Sequence, residues 1–130
     1  MCVFVLIKLY TSYFGNYRNL YDTLCVSIAR KPPNGWTGET CTALAPSWEI
    51  LSAYKNDHDE EKYTKAFETY LYSNSVDAEF IIKRLQQLAL HYGVSSITFL
   101  CYETPEKFCH RHLVAKWLRQ YGYDVTEWRN

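Results

Sequence analysis

The sequence predicts one α/β domain of three layers, Rossmann-like in plan, with a largely parallel sheet of about four strands and helices on both faces. Three observations carry this. The length, 130 residues, is that of a single domain; such a chain buries roughly two-thirds of its unfolded surface without metal or disulfide staples. Hydrophobic residues are 48% and charged residues 22% of the chain, a globular composition that excludes disorder. Short apolar runs rich in β-branched and aromatic residues alternate with helix-periodic stretches, the order that brings parallel strands together through crossovers.

The elements follow in order. Val3 to Tyr10 reads as a buried strand, with the polar turn Thr11 to Asn16 after it and a short helix over Asn16 to Asp22. Tyr21 to Ala29, with Leu24, Val26 and Ile28 alternating, reads as a second strand. Arg30 to Gly38 contains Pro32, Pro33, Gly35 and Gly38, so it is a long loop. Pro46 near a first turn starts a short helix over Trp48 to Tyr54. Asn56 or Asp57 caps the next helix, whose first turn holds Asp59, Glu60 and Glu61 and which runs to about Tyr72. Asn74 or Ser75 caps another, which Gly93 stops; its face is Ile81, Leu85, Leu88 and Tyr92. Ser95 to Cys101 is a buried strand. The last helix begins by Cys109, carries the stripe Cys109, Leu113, Trp117 and Tyr121 with Val114 and Leu118 beside it, and ends at Gly122, before a short strand over Tyr123 to Trp128.

Composition also bounds function. Fourteen basic and fourteen acidic residues give no net charge, so bulk phosphate neutralisation is not the basis of any nucleic-acid binding. A nucleic acid is therefore a weaker partner class than a small anion. Aromatic residues are 17% of the chain, with 12 Tyr and 4 Trp, more than one small core needs, so some line a pocket or contact surface. The five Cys, an odd number, show no zinc-finger spacing and no CxxC. The apolar opening stretch is too short for a signal peptide or membrane span. These features predict a cytoplasmic protein with reduced thiols and no membrane partner; a homodimer stays open.

Ligands of open α/β sheets bind outside the carboxyl ends of the strands. Three segments answer to that rule: the first strand's end with Ser12 and Tyr13, the second's with Ser27 to Arg30, and Cys101 to Arg111 after the third. The third is the richest. Two thiols (Cys101, Cys109), a carboxylate (Glu103), an imidazole (His110) and a guanidinium (Arg111) run from a strand end into a helix start. Backbone N–H groups there favour an anion, and a protonated His110 with Arg111 would lower a thiol's pKa.

Cys101-Tyr102-Glu103, a short loop with Pro105, then Cys109-His110-Arg111 and Ala115 resemble the C-terminal signature of the domain of unknown function 488 family, small bacterial and phage proteins also called YeaO-like. Val26 to Arg30 is similar to that family's second-strand motif, although an acidic residue often found beside the Arg is absent. Leu44-Ala45-Pro46 and the Tyr54 to Tyr70 region are similar to its phage-like branch, so the resemblance covers about Lys8 to Glu127. It implies an α/β fold and a site built from Cys101, Glu103, Cys109, His110 and Arg111, but no reaction.

Each candidate has a plainer reading. Cys101 and Cys109 pack equally well as small hydrophobes, and a disulfide between them is not expected in a reducing compartment. Arg111 sits at a helix start, against the dipole, which calls for an anionic partner, either Glu103 or a ligand. Arg30 and Lys31, beside Trp36, add cations and a ring or are a solvated loop. His58, His91 and His112 are surface residues. Cys101, Cys109 and His110 suit a metal by ligand type, but the adjacency of the last two makes closure awkward, so neither metal nor cofactor is expected. The nucleotide-binding and HExxH motifs are absent, and Arg111, ten residues beyond Cys101, is too distant for a phosphatase-type Cys loop.

The functional expectation is an enzyme acting on a nucleotide, nucleobase or nucleic-acid-derived anion. Glu103 is its general acid or base, and His110 orients it. Cys101 or Cys109 is a candidate nucleophile. Arg111, Arg30, Ser27, Ser12 and Tyr13 bind. The alternative is a non-catalytic phage or bacterial protein that sequesters a nucleotide-like ligand or a host protein; a redox sensor with a reactive Cys109 is a third reading.

Overall fold

The computed structural model describes residues 7–73 and 75–130. Residues 3–6 of the expected first strand and Asn74, an expected cap, lie outside the described residues. The strands are β1 (Lys8–Tyr13), β2 (Thr23–Ser27), β3 (Glu39–Thr40), β4 (Ser96–Cys101) and β5 (Val125–Glu127); the α-helices are α1 (Trp48–Asp57), α2 (Glu60–Leu71), α3 (Ala78–Tyr92) and α4 (His110–Gln120). The strands form one sheet in the order β3-β2-β4-β1-β5, with every pairing parallel. The sequence called for about four strands; the fifth is β3, whose two residues pair with Val26 and Ser27 at the sheet edge. It follows directly on the Arg30 to Gly38 loop, and two residues are too short for a strand pattern. Gly38 is what lets that segment approach: a Cβ there would lie 2.9 Å from the Cys25 carbonyl oxygen and 2.5 Å from the Trp36 ring.

The two covering layers are unequal. Leu9, Val26, Ile97, Phe99 and Val125 point to one face, where they share a core with Phe67 and Leu71 of α2, Ile82 and Leu85 of α3, and Val114, Trp117 and Leu118 of α4. A short 3-10 helix over Phe14–Asn19 and the 28–38 loop cover the other face. There Asn16 bonds to Ser12, and Thr23 bonds to Thr98 at 2.7 Å. Right-handed crossovers produce this division: β1 to β2 and β3 to β4 run in opposite directions across the sheet, so their connections lie on opposite faces.

Helix starts follow capping chemistry. Ser47, Asp59 and Asp77 accept backbone N–H bonds from Ile50, Lys62 and Phe80. Asp59 and Asp77 thus take the places expected for Asn56 or Asp57 and for Asn74 or Ser75. Gly93 closes α3 in the left-handed region at φ 70°, as its position predicts. The buried stripe of α3 is Ala78, Ile82, Leu85 and Ala89, one position away from the expected face, and Tyr92 is exposed. Two alanines let the helix lie close to the sheet, with Ile81 and Leu88 packed at its flanks. On α4 the buried set includes His110 and Arg111, while Leu113 is half-buried and Tyr121 exposed. Apolar periodicity does not register a buried ionic group. Among the described residues, no helix is long and apolar enough to cross a membrane.

Candidate functional site

β4 carries Cys101 to the carboxyl edge of the sheet, and the 102–108 loop returns the chain so that Cys109, the extended N-cap residue of α4, lies over it. The two sulfurs meet as a disulfide, with Cα atoms 7.3 Å apart. This corrects the expectation of two separate thiols: the loop closes on the strand end rather than passing away from it. Cys25 and Cys41 are free.

His110, the first residue of α4, is buried, and its Nε2 lies 2.6 Å from the Ile28 carbonyl oxygen. A carbonyl only accepts, so Nε2 carries the proton and donates, and Nδ1 keeps its lone pair. Nδ1 lies 4.0 Å from the Cys109 sulfur. Burial pulls the imidazole pKa down to about 4; the Ile28 bond opposes this and the Arg111 charge adds to it. His110 is therefore neutral at neutral pH, not the protonated partner expected beside the thiols. The cation there is Arg111.

Arg111 is fully buried. Its Nε and Nη2 donate to both oxygens of Glu127 at 3.2 and 2.9 Å, and Nη1 donates to the Cys101 sulfur at 3.1 Å and to the Glu103 backbone carbonyl. The Tyr13 ring lies 6.0 Å from its guanidinium carbon, and Thr11 donates to Glu127 at 2.7 Å. The anionic partner is thus Glu127, where the sequence pointed to Glu103 or a ligand. Pairing of β5 with β1 sets Glu127 opposite Thr11, a long-range register that sequence spacing does not reveal.

Above this group opens a cavity of about 400 Å³, within the size range of small-molecule sites. Cys101, Cys109 and His110 form one wall, and Glu103 is exposed at the rim. Trp48 and Tyr54 of α1, Tyr63 of α2, Tyr102 and Phe108 supply aromatic faces. The Phe108 ring packs 5.6 Å from Tyr54 and 5.0 Å from Tyr63. Three cations border it: Arg30, held by the Pro46 and Ala45 carbonyls at 2.9 and 3.3 Å, and the exposed Lys31 and Lys55.

Of the residues singled out by sequence, Cys101, Glu103, Cys109, His110, Arg30 and Lys31 meet at this cavity. Arg111 and Tyr13 lie beneath it rather than in its lining. Ser12 and Ser27 are in register with Leu100 and so face the opposite side of the sheet from Cys101. Ser12 accepts from Asn16, and Ser27 accepts from the Ala29 N–H. Trp36 packs against Phe14 and Tyr17 instead of the cavity. His58 and His91 are exposed, and His112 is half-buried rather than at the surface. Sequence reasoning missed Trp48, Tyr54, Lys55, Tyr63 and Phe108, because α1 and α2 meet the strand ends only through tertiary packing.

A family profile described as the active DUF488-N3 subclade matches residues 9–122. No curated protein matches the chain, and no solved structure does. The matched span takes in β1 to α4 with Cys101, Glu103, Cys109, His110 and Arg111, so the chain belongs to the domain of unknown function 488 family, in its active DUF488-N3 subclade.

Proposed function

We propose that the protein is a cytoplasmic enzyme acting on a nucleotide, nucleobase or nucleic-acid-derived anion bound in the strand-end cavity. One observation carries this reading: the same cavity combines aromatic faces, bordering cations and the Cys101–Cys109–His110 group. Aromatic faces hold a planar ring by stacking, and cations hold a phosphate or carboxylate. Arg30 anchors the anion here, with Lys31 and Lys55 at the mouth. Arg111 acts from below as a positioning residue, fixing Cys101 and the start of the Glu103 loop. Glu103 faces the ligand as general acid or base, and His110 offers a neutral Nδ1 at the cavity wall.

The exposure of Glu103 at the rim favours a second reading, a non-catalytic binder, because a solvated carboxylate suits capture as well as proton transfer. One experiment separates the two. Uridine and adenosine 5′-monophosphates are titrated against Trp48 fluorescence, and each mixture is then analysed chromatographically for product. The enzyme reading expects saturable quenching, lost in Trp48→Phe, and product formation that Glu103→Gln abolishes while affinity stays within about twofold. Binding without product in either protein supports the binder. Absence of binding by both nucleotides at millimolar concentration contradicts the enzyme reading and nucleotide capture alike.

A further inference from the structure

We infer that Cys101, Cys109 and His110 form a three-ligand site for a zinc-class divalent cation, with its open coordination position facing the cavity. The two sulfurs and the available imidazole nitrogen lie within 4.8 Å of one another, all on buried residues. Two thiolates and an imidazole are the donor set of a borderline-soft ion, and three protein ligands leave a fourth position for water or substrate.

Four features of the surroundings fit. The proton of His110 sits on Nε2, held by the Ile28 carbonyl at 2.6 Å, so Nδ1 is free to ligate; such a backbone bond is the usual outer-shell partner of a ligating histidine. The Cys109 sulfur and Nδ1 are 4.0 Å apart, close to the roughly 3.5 Å that tetrahedral zinc sets between a sulfur and a nitrogen ligand. The adjacency of the two residues is therefore no obstacle, because Cys109 is extended and His110 already helical. The Cα atoms of Cys101 and Cys109 are 7.3 Å apart, a span that two thiolates about 3.8 Å apart around an ion bridge readily. Charge also balances: two thiolates offset the dication, and Arg111 is already offset by Glu127. The ion and the disulfide compete for the same sulfurs, so binding requires the reduced pair.

The inference stands apart from the nucleotide reading, and its test uses no nucleotide. The full chain is reduced, freed of reductant, counted for thiols and titrated with Co²⁺ alone. One equivalent should bind with thiolate-to-cobalt charge-transfer absorption and be displaced by Zn²⁺. Cys109→Ser should lose the absorption, and His110→Ala should weaken uptake at least about tenfold. A second measurement needs no variant. In the native Zn²⁺-treated chain, Cys101 and Cys109 should resist alkylation until a chelator is added, with labelling of Cys25 and Cys41 unchanged between the arms. Failure of the fully reduced chain to take up Co²⁺, uptake unaltered in Cys109→Ser, or protection relieved by reductant but not by chelator would overturn the inference.

Discussion

Beneath the cavity, Arg111 joins Cys101, the Glu103 carbonyl and Glu127. Its guanidinium is wholly buried, and Glu127 carries the compensating charge at 2.9 Å. Removing one partner of such a pair strands the other, at a cost of about 3–5 kcal/mol. Glu127→Ala should therefore lower unfolding free energy by about that much in urea melts, whereas Glu103→Ala, at an exposed position, should change it by less than about 0.5 kcal/mol. Equal effects of the two substitutions would contradict the assignment of Glu127 as the partner. Cys25 gives an independent check of burial. Desolvation raises its thiol pKa from 9.0 to about 11. A raised pKa keeps the thiol protonated, so its thiolate fraction at pH 8 falls about 100-fold. Alkylation of Cys25 in the native chain should be slower than in the unfolded chain by about that factor, and should accelerate as pH rises towards 11. Native and unfolded rates that coincide at pH 8 would contradict the desolvation of this half-buried thiol.

At the scale of elements, capping is the most local signal and one of the most legible. Asp77 accepts the Phe80 N–H at 3.0 Å and starts α3, so Asp77→Ala should destabilise by about 1 kcal/mol in thermal or urea melts. An unchanged melt would show that packing alone fixes this end. Gly93, the acidic first turn of α2 and the apolar run of β4 were readable for the same reason: each needs only its own neighbours. On α4 the expected Cys109, Val114, Trp117 and Leu118 are buried and only Tyr121 is exposed, whereas the α3 face was readable only in part, at Leu85. Ala78 and Ala89 weigh little on an apolar wheel, yet they set how closely α3 lies on the sheet. His110 and Arg111 carry no apolar signal, so their burial shows only once Ile28 and Glu127 are placed beside them. β3 was hidden because two edge residues draw their pairing from β2 rather than from any β-forming run.

For the whole molecule, the parallel order and the carboxyl-end rule point to the strand ends where the candidate cavity opens. The Cys-Tyr-Glu and Cys-His-Arg segments fall where β4 ends, and the loop after β2 brings Arg30 to the same cavity. Composition called for an aromatic-lined pocket, but Trp48, Tyr54 and Tyr63 were not legible as its lining, because that depends on how α1 and α2 dock across the strand ends. Ser12 and Ser27 show the converse limit. A strand end has two faces, and the expected binding serines lie on the one turned away from Cys101. Which face receives ligand follows from where the crossovers leave space, a property of topology rather than of motif.

The proposed ligand site lies at one place, between α1, the 29–31 loop and the Cys101–His110 segment. Backbone amide NMR of the labelled full-length protein during titration with uridine 5′-monophosphate tests it most directly. The expected result is a saturable set of shifts centred on Ala29 to Lys31, Trp48, Tyr54 and Cys101 to His110, with Ser12 and Trp36 unmoved. Saturable shifts centred on the 3-10 helix and Trp36 face, or a spectrum unchanged at millimolar nucleotide, would contradict it.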